Sequence, residues 1–354
     1  MTRTTGLAVG IEIDGDGAHP AAWRCADHPP DTLLTPAHLA EMGRRAEDAG
    51  FAFVTLADAT AGDPGAGVAG RFDPVTAASF LSARTDALGL VPLVAAAHAE
   101  PFHVSNQLSG LDHASVGRAG WLLGTEASAA RAAAHGVRHE TDAAVLAGEA
   151  ADVVDAARRL WDSWQEDAII ADEASGRFID ADRVHHVDFR GRSFAIRGPA
   201  LVPRPPQGQV PVLAPAGTLP PDLVDVDVVA APSLDDLLGA PTRAPRALAE
   251  VEVVLDAGGT PAAERLAALN RHTPWRPGHR LRHVGGPARL VGVLRRLADR
   301  FDAVRLIPAV LDVDGAVLAD QVLPGLGHHL RRPVPGDTLR DQLGLERPAG
   351  RYAS

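Results

Sequence analysis

Residues 87–125 read ALGLVPLVAAAHAEPFHVSNQLSGLDHASVGRAGWLLGT. Ala87 to Ala96 is an apolar run of strand length. Pro101 then suits the first turn of a helix, PFHVSNQLSGLDHAS, which ends before Gly117. A second apolar run, RAGWLLGT, closes the segment at Thr125. Strand, helix and strand in that order make a βαβ unit, whose two strands lie parallel.

The same rhythm extends both ways. Upstream, LAVGIEI (Leu7 to Ile13) and FAFVTLAD (Phe51 to Asp58) read as strands one and two. Between them TPAHLAEMGRRAEDAG carries an N-cap at Thr35, Pro36 at the first helical position and a C-cap at Gly50. A second helix, DPVTAASFLSART, is capped by Asp73. Downstream comes a long helix within TDAAVLAGEAADVVDAARRLWDSW, and then the pattern breaks. Residues 165–209 are polar and punctuated by Gly and Pro; VDFRGRSFAIRG within them alternates as a hairpin, so the segment reads as an insertion. VPVLAPAG (Val210 to Gly217), DVDVVAAPS, VEVVLDAG and AVRLIPAV (Ala303 to Val310) supply four more strands. GPARLVGVLRRLADRF and GAVLADQVLPGLGHHL read as helices, and 331–354 as a Pro-rich tail.

Eight short apolar strands with intervening helices predict an α/β fold, a (β/α)8 TIM barrel, spanning 1–354 as one domain. A doubly wound sheet is the alternative. The first strand runs into GIEIDGDG, without the glycine spacing of a dinucleotide fold and without a helix after it. In a barrel the active site lies at the strands' C-terminal ends, which marks Asp14, Asp58, His98, Thr125, Thr218, Ser233 and Asp256.

Composition narrows the function. The chain has 354 residues, a net charge of −11 and no basic block, which argues against a nucleic-acid partner. No apolar run reaches the roughly 20 residues of a membrane span. The N-terminus lacks the apolar core of a signal peptide, so a cytoplasmic location is expected. Cys25 is the one cysteine, which excludes an internal disulfide and a thiolate metal cluster. All 34 basic residues are arginine, which excludes a lysine Schiff base. The adjacent pairs His185-His186 and His328-His329 diverge in direction on a strand or helix, so no metal site is expected. Asp14 and Asp16 read first as turn residues, and Cys25 has no evident base beside it.

The block EPFHVSNQLSGLDHASVGRAGW (Glu100 to Trp121) resembles EPYHLAR…SLDHLSGGRAGW of the luciferase-like flavin-dependent monooxygenases, in the nitrilotriacetate and dibenzothiophene sulfone monooxygenase branch. RRLWDSWQEDAII, the stretch SGRFIDADRVHHVDFRGRSFAIRGPALVPRPPQGQVPVLAPAG and the tail TLRDQLGLERPAGRY continue the likeness in order. The resemblance implies a TIM barrel that takes reduced FMN from a separate flavin reductase. Molecular oxygen would add to the flavin, and the C4a-peroxyflavin would oxygenate a small organic substrate. A homodimer is likewise implied.

Carried across residue by residue, the resemblance puts Asp58, Ala97, His98, Thr125, Gly217 and Thr218 at the flavin. His98 stands at a tyrosine-like position and is the catalytic candidate, as a donor or proton shuttle near neutral pH. The remaining family contacts are thinned. Ala95 to Ala97 replace hydroxyl residues, Leu122 an asparagine and Glu126 a serine. Ala147 stands where the family's tyrosine reaches the FMN phosphate. The segment between strands six and seven is short. Two other readings stand beside the monooxygenase: a flavin-poor, non-catalytic barrel that pairs with an active homologue, and a barrel for another flavin such as coenzyme F420.

Overall fold

Strands covered on both faces, by helices outside and by the opposite wall within, read as unbroken apolar runs. In this computed structural model, which describes residues 6–13, 15–57, 70–96, 100–125, 129–134, 136 and 139–353, those runs form parallel strands. They are β1 (Leu7–Glu12), β2 (Phe53–Leu56), β3 (Gly89–Ala95), β4 (Trp121–Gly124), β5 (Val212–Pro215), β6 (Val226–Val229), β7 (Arg246–Leu255), β8 (Leu281–Gly285) and β9 (Ala303–Pro308). The order β6-β5-β4-β3-β2-β1-β9-β7 returns from β7 to β6, so eight strands close a (β/α)8 barrel. Closure rules out the open doubly wound sheet.

β8 is an addition to the eight strands read from the sequence. It pairs with Val251–Leu255 of β7, whose first residues, Arg246–Ala249, pair with β6. β7 is ten residues long, so its lower half belongs to the ring and its upper half carries β8.

Inside the ring each strand contributes one residue to a buried layer: Ala8, Phe53, Val91, Leu122, Leu213, Val226, Leu248 and Ala303. Gly10 admits the Phe53 ring, which a Cβ there would meet at 2.1 Å. The C-terminal segment closes this layer from the end opposite the mouth. Leu339, Leu343 and Leu345 join the same cluster, and Gly89 and Gly120 make room for Leu339, since Cβ atoms there would lie 2.8 and 2.6 Å from it.

The outer layer comprises α1 (Pro36–Ala49), α2 (Pro74–Ser82), α3 (Pro101–Ala114), α4 (Ala143–Trp161), α5 (Leu234–Gly239), α6 (Ala262–Asn270), α7 (Pro287–Ala298) and α8 (Leu311–Val317), with a short α9 (Leu339–Leu343) in the tail. The expected caps hold: Thr35 accepts from the His38 N–H, Asp73 from the Thr76 N–H, and Gly50 ends α1 at φ +90°. α5 and α6 were not legible as helices. The last predicted helix begins four residues earlier than Gly315, at Leu311, and widens into a π turn over Leu318–Val322. Pro324 follows directly and brings no N–H to the ladder. Within 165–209 lie two hairpins, Ile169–Asp172 with Arg177–Ile179 and Phe189–Arg190 with Ala195–Ile196. Among the described residues no helix is long and apolar enough to cross a membrane.

Candidate functional site

A cavity of about 630 Å³ opens at the C-terminal ends of the ring strands. Side chains alternate along a strand, so the residues one step above the apolar layer form its floor and walls. The two halves of the ring differ there. On the β3–β6 side the wall is small and apolar: Leu93, Ala95, Gly124, Pro215 and Val228. A Cβ at Gly124 would lie 2.9 Å from the Leu93 Cδ2 and 3.1 Å from the Ala95 Cα, so the wall has no room for a side chain there.

The opposite half is charged. Arg305 on β9 is buried; its Nε donates to the Thr55 hydroxyl at 2.9 Å, Nη1 to Glu250 and Nη2 to Glu12. Arg280, just before β8, donates from Nε to the other Glu250 oxygen at 2.7 Å. Burial alone would raise the Glu250 carboxyl, but Arg305 and Arg280 outweigh it and hold it below the ordinary carboxylate value. Burial likewise opposes the Arg305 charge, yet Glu12 and Glu250 raise its affinity for the proton above the usual. Higher on the same wall Arg282 donates to Glu252 at 2.7 Å and lies 3.6 Å over the Trp275 ring. A buried arginine and its carboxylates persist only when mutually paired, and this set is.

The residues singled out from the sequence are placed unevenly. Thr125 is partly buried and lines the cavity. Ala216 also lines it, and the turn that follows holds an exposed Gly217 at φ +79° and a half-buried Thr218. Asp14, Asp58, Ala97, His98 and Glu126 lie outside the described residues. Ser233 and Asp256 are caps, the first accepting from the Asp236 N–H and the second from the Ala262 N–H. Asp16 does sit in a turn, but it is buried, with one oxygen 2.9 Å from the His28 Nε2. Ala147 lies on the first turns of α4 and is partly buried.

The polar residues of the 100–121 block are scaffold. Asp112 accepts from the Ala119 N–H and from the backbone and side-chain N–H groups of Gln207. Arg118 spends its guanidinium on the carbonyls of Ser115, Leu88, Ser82 and Thr85 and on the Thr85 hydroxyl. Trp121 points outward, donating to the Val94 carbonyl and meeting Trp161 edge-on at 6.4 Å. His185 stacks on Tyr352, and the His328 and His329 rings lie 4.1 Å apart, closer than their backbone directions suggest. Among the described residues no three metal-ligating side chains cluster.

Sequence reasoning missed Glu12, Thr55, Glu250, Arg280 and Arg305. The available signal was one or two charges inside an apolar strand run, as in GIEI, AEVEVV and AVRLI, which in a buried strand demand partners.

A closed parallel barrel with a cavity at the C-terminal ends of its strands is the architecture in which TIM-barrel enzymes place their active sites. The chain belongs to the luciferase-like monooxygenase family, whose model matches residues 16–226. It is 34% identical over 214 residues to N-acetyl-S-(2-succino)cysteine monooxygenase of Bacillus subtilis (strain 168), a match covering 60% of this chain and 48% of that protein. It is 33% identical over 319 residues to one of the subunits of pristinamycin IIA synthase of Streptomyces pristinaespiralis, covering 88% of this chain and 89% of that one. The crystal structure of a riboflavin lyase with modified FMN and riboflavin superposes with a TM-score of 0.80 at 21% identity over 97% of this chain and 96% of that one. That last likeness concerns the fold.

Proposed function

We propose that the protein is a two-component, FMN-dependent monooxygenase of the cytoplasm that oxygenates a small organic substrate. The observation that carries this reading is the divided mouth on a chain of this family. Its wall of small side chains at Ala95, Gly124 and Pro215 leaves room for the face of an isoalloxazine, and the cavity is within the roughly 300–1,000 Å³ of a small-molecule site. Reduced FMN, handed over by a flavin reductase, supplies the electrons with which molecular oxygen is activated.

The chain's own part is to bind, orient and exclude water. Thr125 and the amides of the Ala216–Thr218 turn are the proposed phosphate contacts, in place of the tyrosine that Ala147 replaces. Asp58 and Ala97 are assigned to the ring's edge, and His98 to moving a proton there. The packed layer from Ala8 to Ala303 seals the cavity from below, which keeps bulk water from that direction.

The test is an anaerobic titration with FMNH2, followed by fluorescence. Saturable micromolar binding is expected, and a folded protein that binds none overturns the enzyme. Two observations favour a second reading: the anchor position holds Ala147, and a relative matched over 89% of its length is one component of a multi-chain synthase. A non-catalytic barrel that pairs with an active homologue would fail the titration alone and bind flavin only in the mixed assembly. For the enzyme itself a homodimer is proposed.

A further inference from the structure

Three arginines stand along the charged wall, and their nitrogens are used differently. Arg305 places Nε, Nη1 and Nη2 on Thr55, Glu250 and Glu12. Arg282 places its three on Glu252 and on the carbonyls of Trp275 and Arg276. Arg280 uses Nε alone, on Glu250, and among the described residues its Nη1 and Nη2 have no hydrogen-bond partner. Its side chain is 32% exposed and lines the mouth cavity. The bond through Nε, with β8 in register beside β7, fixes the guanidinium's position. Its remaining donors form a planar fork, the geometry that recognises a carboxylate.

We propose that Arg280 anchors a carboxylate of the substrate, so that the substrate class is a small organic acid. This deepens the monooxygenase reading and rests on it. The local charges favour a monoanion. Glu12 and Glu250 balance Arg305 and Arg280, so a bound carboxylate leaves one excess negative charge, whereas a phosphate dianion leaves two beside Glu250. The other source of an anion is the flavin phosphate, and its place differs: the Gly217–Thr218 turn follows β5, whereas Arg280 sits on the β7 side of the ring.

The test compares wild type, R280Q and R280K by calorimetry, each with and without saturating FMN. The probes are acetate, propionate and benzoate, each against its neutral amide. At least one acid is expected to bind wild type at least ten-fold more tightly than its amide. R280Q removes that preference by roughly ten- to a hundred-fold, and R280K restores part of it. FMN and riboflavin affinities stay unchanged in R280Q. The proposal is overturned if no acid binds wild type, if R280Q binds acids equally well, or if R280Q weakens FMN but not riboflavin, which assigns Arg280 to the phosphate. Acid binding that depends on Arg280 in a protein that takes no flavin upholds the anion site and removes the monooxygenase reading instead.

Discussion

Replacing Arg305 with Met tests the charged wall as a unit. The substitution keeps an unbranched apolar stem but leaves Glu12, whose side chain is 15% exposed, without its guanidinium, and takes one of two from Glu250. Breaking a buried ion pair by removing one partner costs about 3–5 kcal/mol. Arg280 still holds Glu250, so the loss falls mainly on Glu12 and Thr55. The pH dependence is diagnostic. In wild type the Glu250 carboxyl lies below 4.5, so its contribution is present above 4.5 and is lost as pH falls through the lower folded value. In Arg305→Met, burial pushes the same carboxyl up against weaker opposition, so it takes up a proton at higher pH. The deficit relative to wild type is therefore largest near neutral pH and narrows as the medium is acidified. Urea unfolding followed by tryptophan fluorescence at four pH values measures it. Adding Glu12→Gln, which removes the orphaned charge, recovers part of the loss. A deficit under about 1 kcal/mol, or one equal at every pH, refutes the paired-wall reasoning.

Leu339→Ala empties the barrel's lower end and should cost about 2–5 kcal/mol in urea unfolding, while flavin titration of the folded variant stays as in wild type. Gly124→Leu sets a side chain against Leu93 and Ala95 and should weaken FMN by at least about ten-fold with unchanged far-UV circular dichroism. Ala147→Tyr restores a hydroxyl at the anchor position and should tighten FMN but not riboflavin; no difference between the two ligands removes that alignment. Asp112 is pushed up to about 6, chiefly by burial and against three N–H donors. Its folded value exceeds the ordinary 3.8, so its contribution to stability should fall as pH rises from 3.8 to about 6; Asp112→Asn should remove that contribution from the pH slope.

The ring was legible because a strand covered on both faces has little choice but apolar residues. Runs such as LGLVPLVA and VRLIPAV could be counted directly. β8 escaped because LRHVG is partly exposed and carries Arg282 and His283, so it has no apolar run to count. α5 and α6 escaped because each is short and only Leu237, or Ala262 and Leu269, is buried. The caps at Thr35, Asp73 and Gly50 were readable since they depend on neighbours within four residues. The charged wall was not, because Glu12 and Arg305 are separated by 293 positions and meet only through the β1–β9 pairing. Family likeness led to the loops after strands two to five, whereas the charges sit on strands seven to nine and one.

The added strand, β8, has a consequence for how this mouth can diversify. The ring is complete without β8, since β7 hydrogen-bonds to β6 below and to β9 along its other edge. Insertions or substitutions between Asp256 and Gly286 therefore reshape one side of the entrance without breaking a barrel hydrogen bond. Arg280 and its neighbours sit on an appendage that natural variation can retune without altering the backbone pairing of the ring.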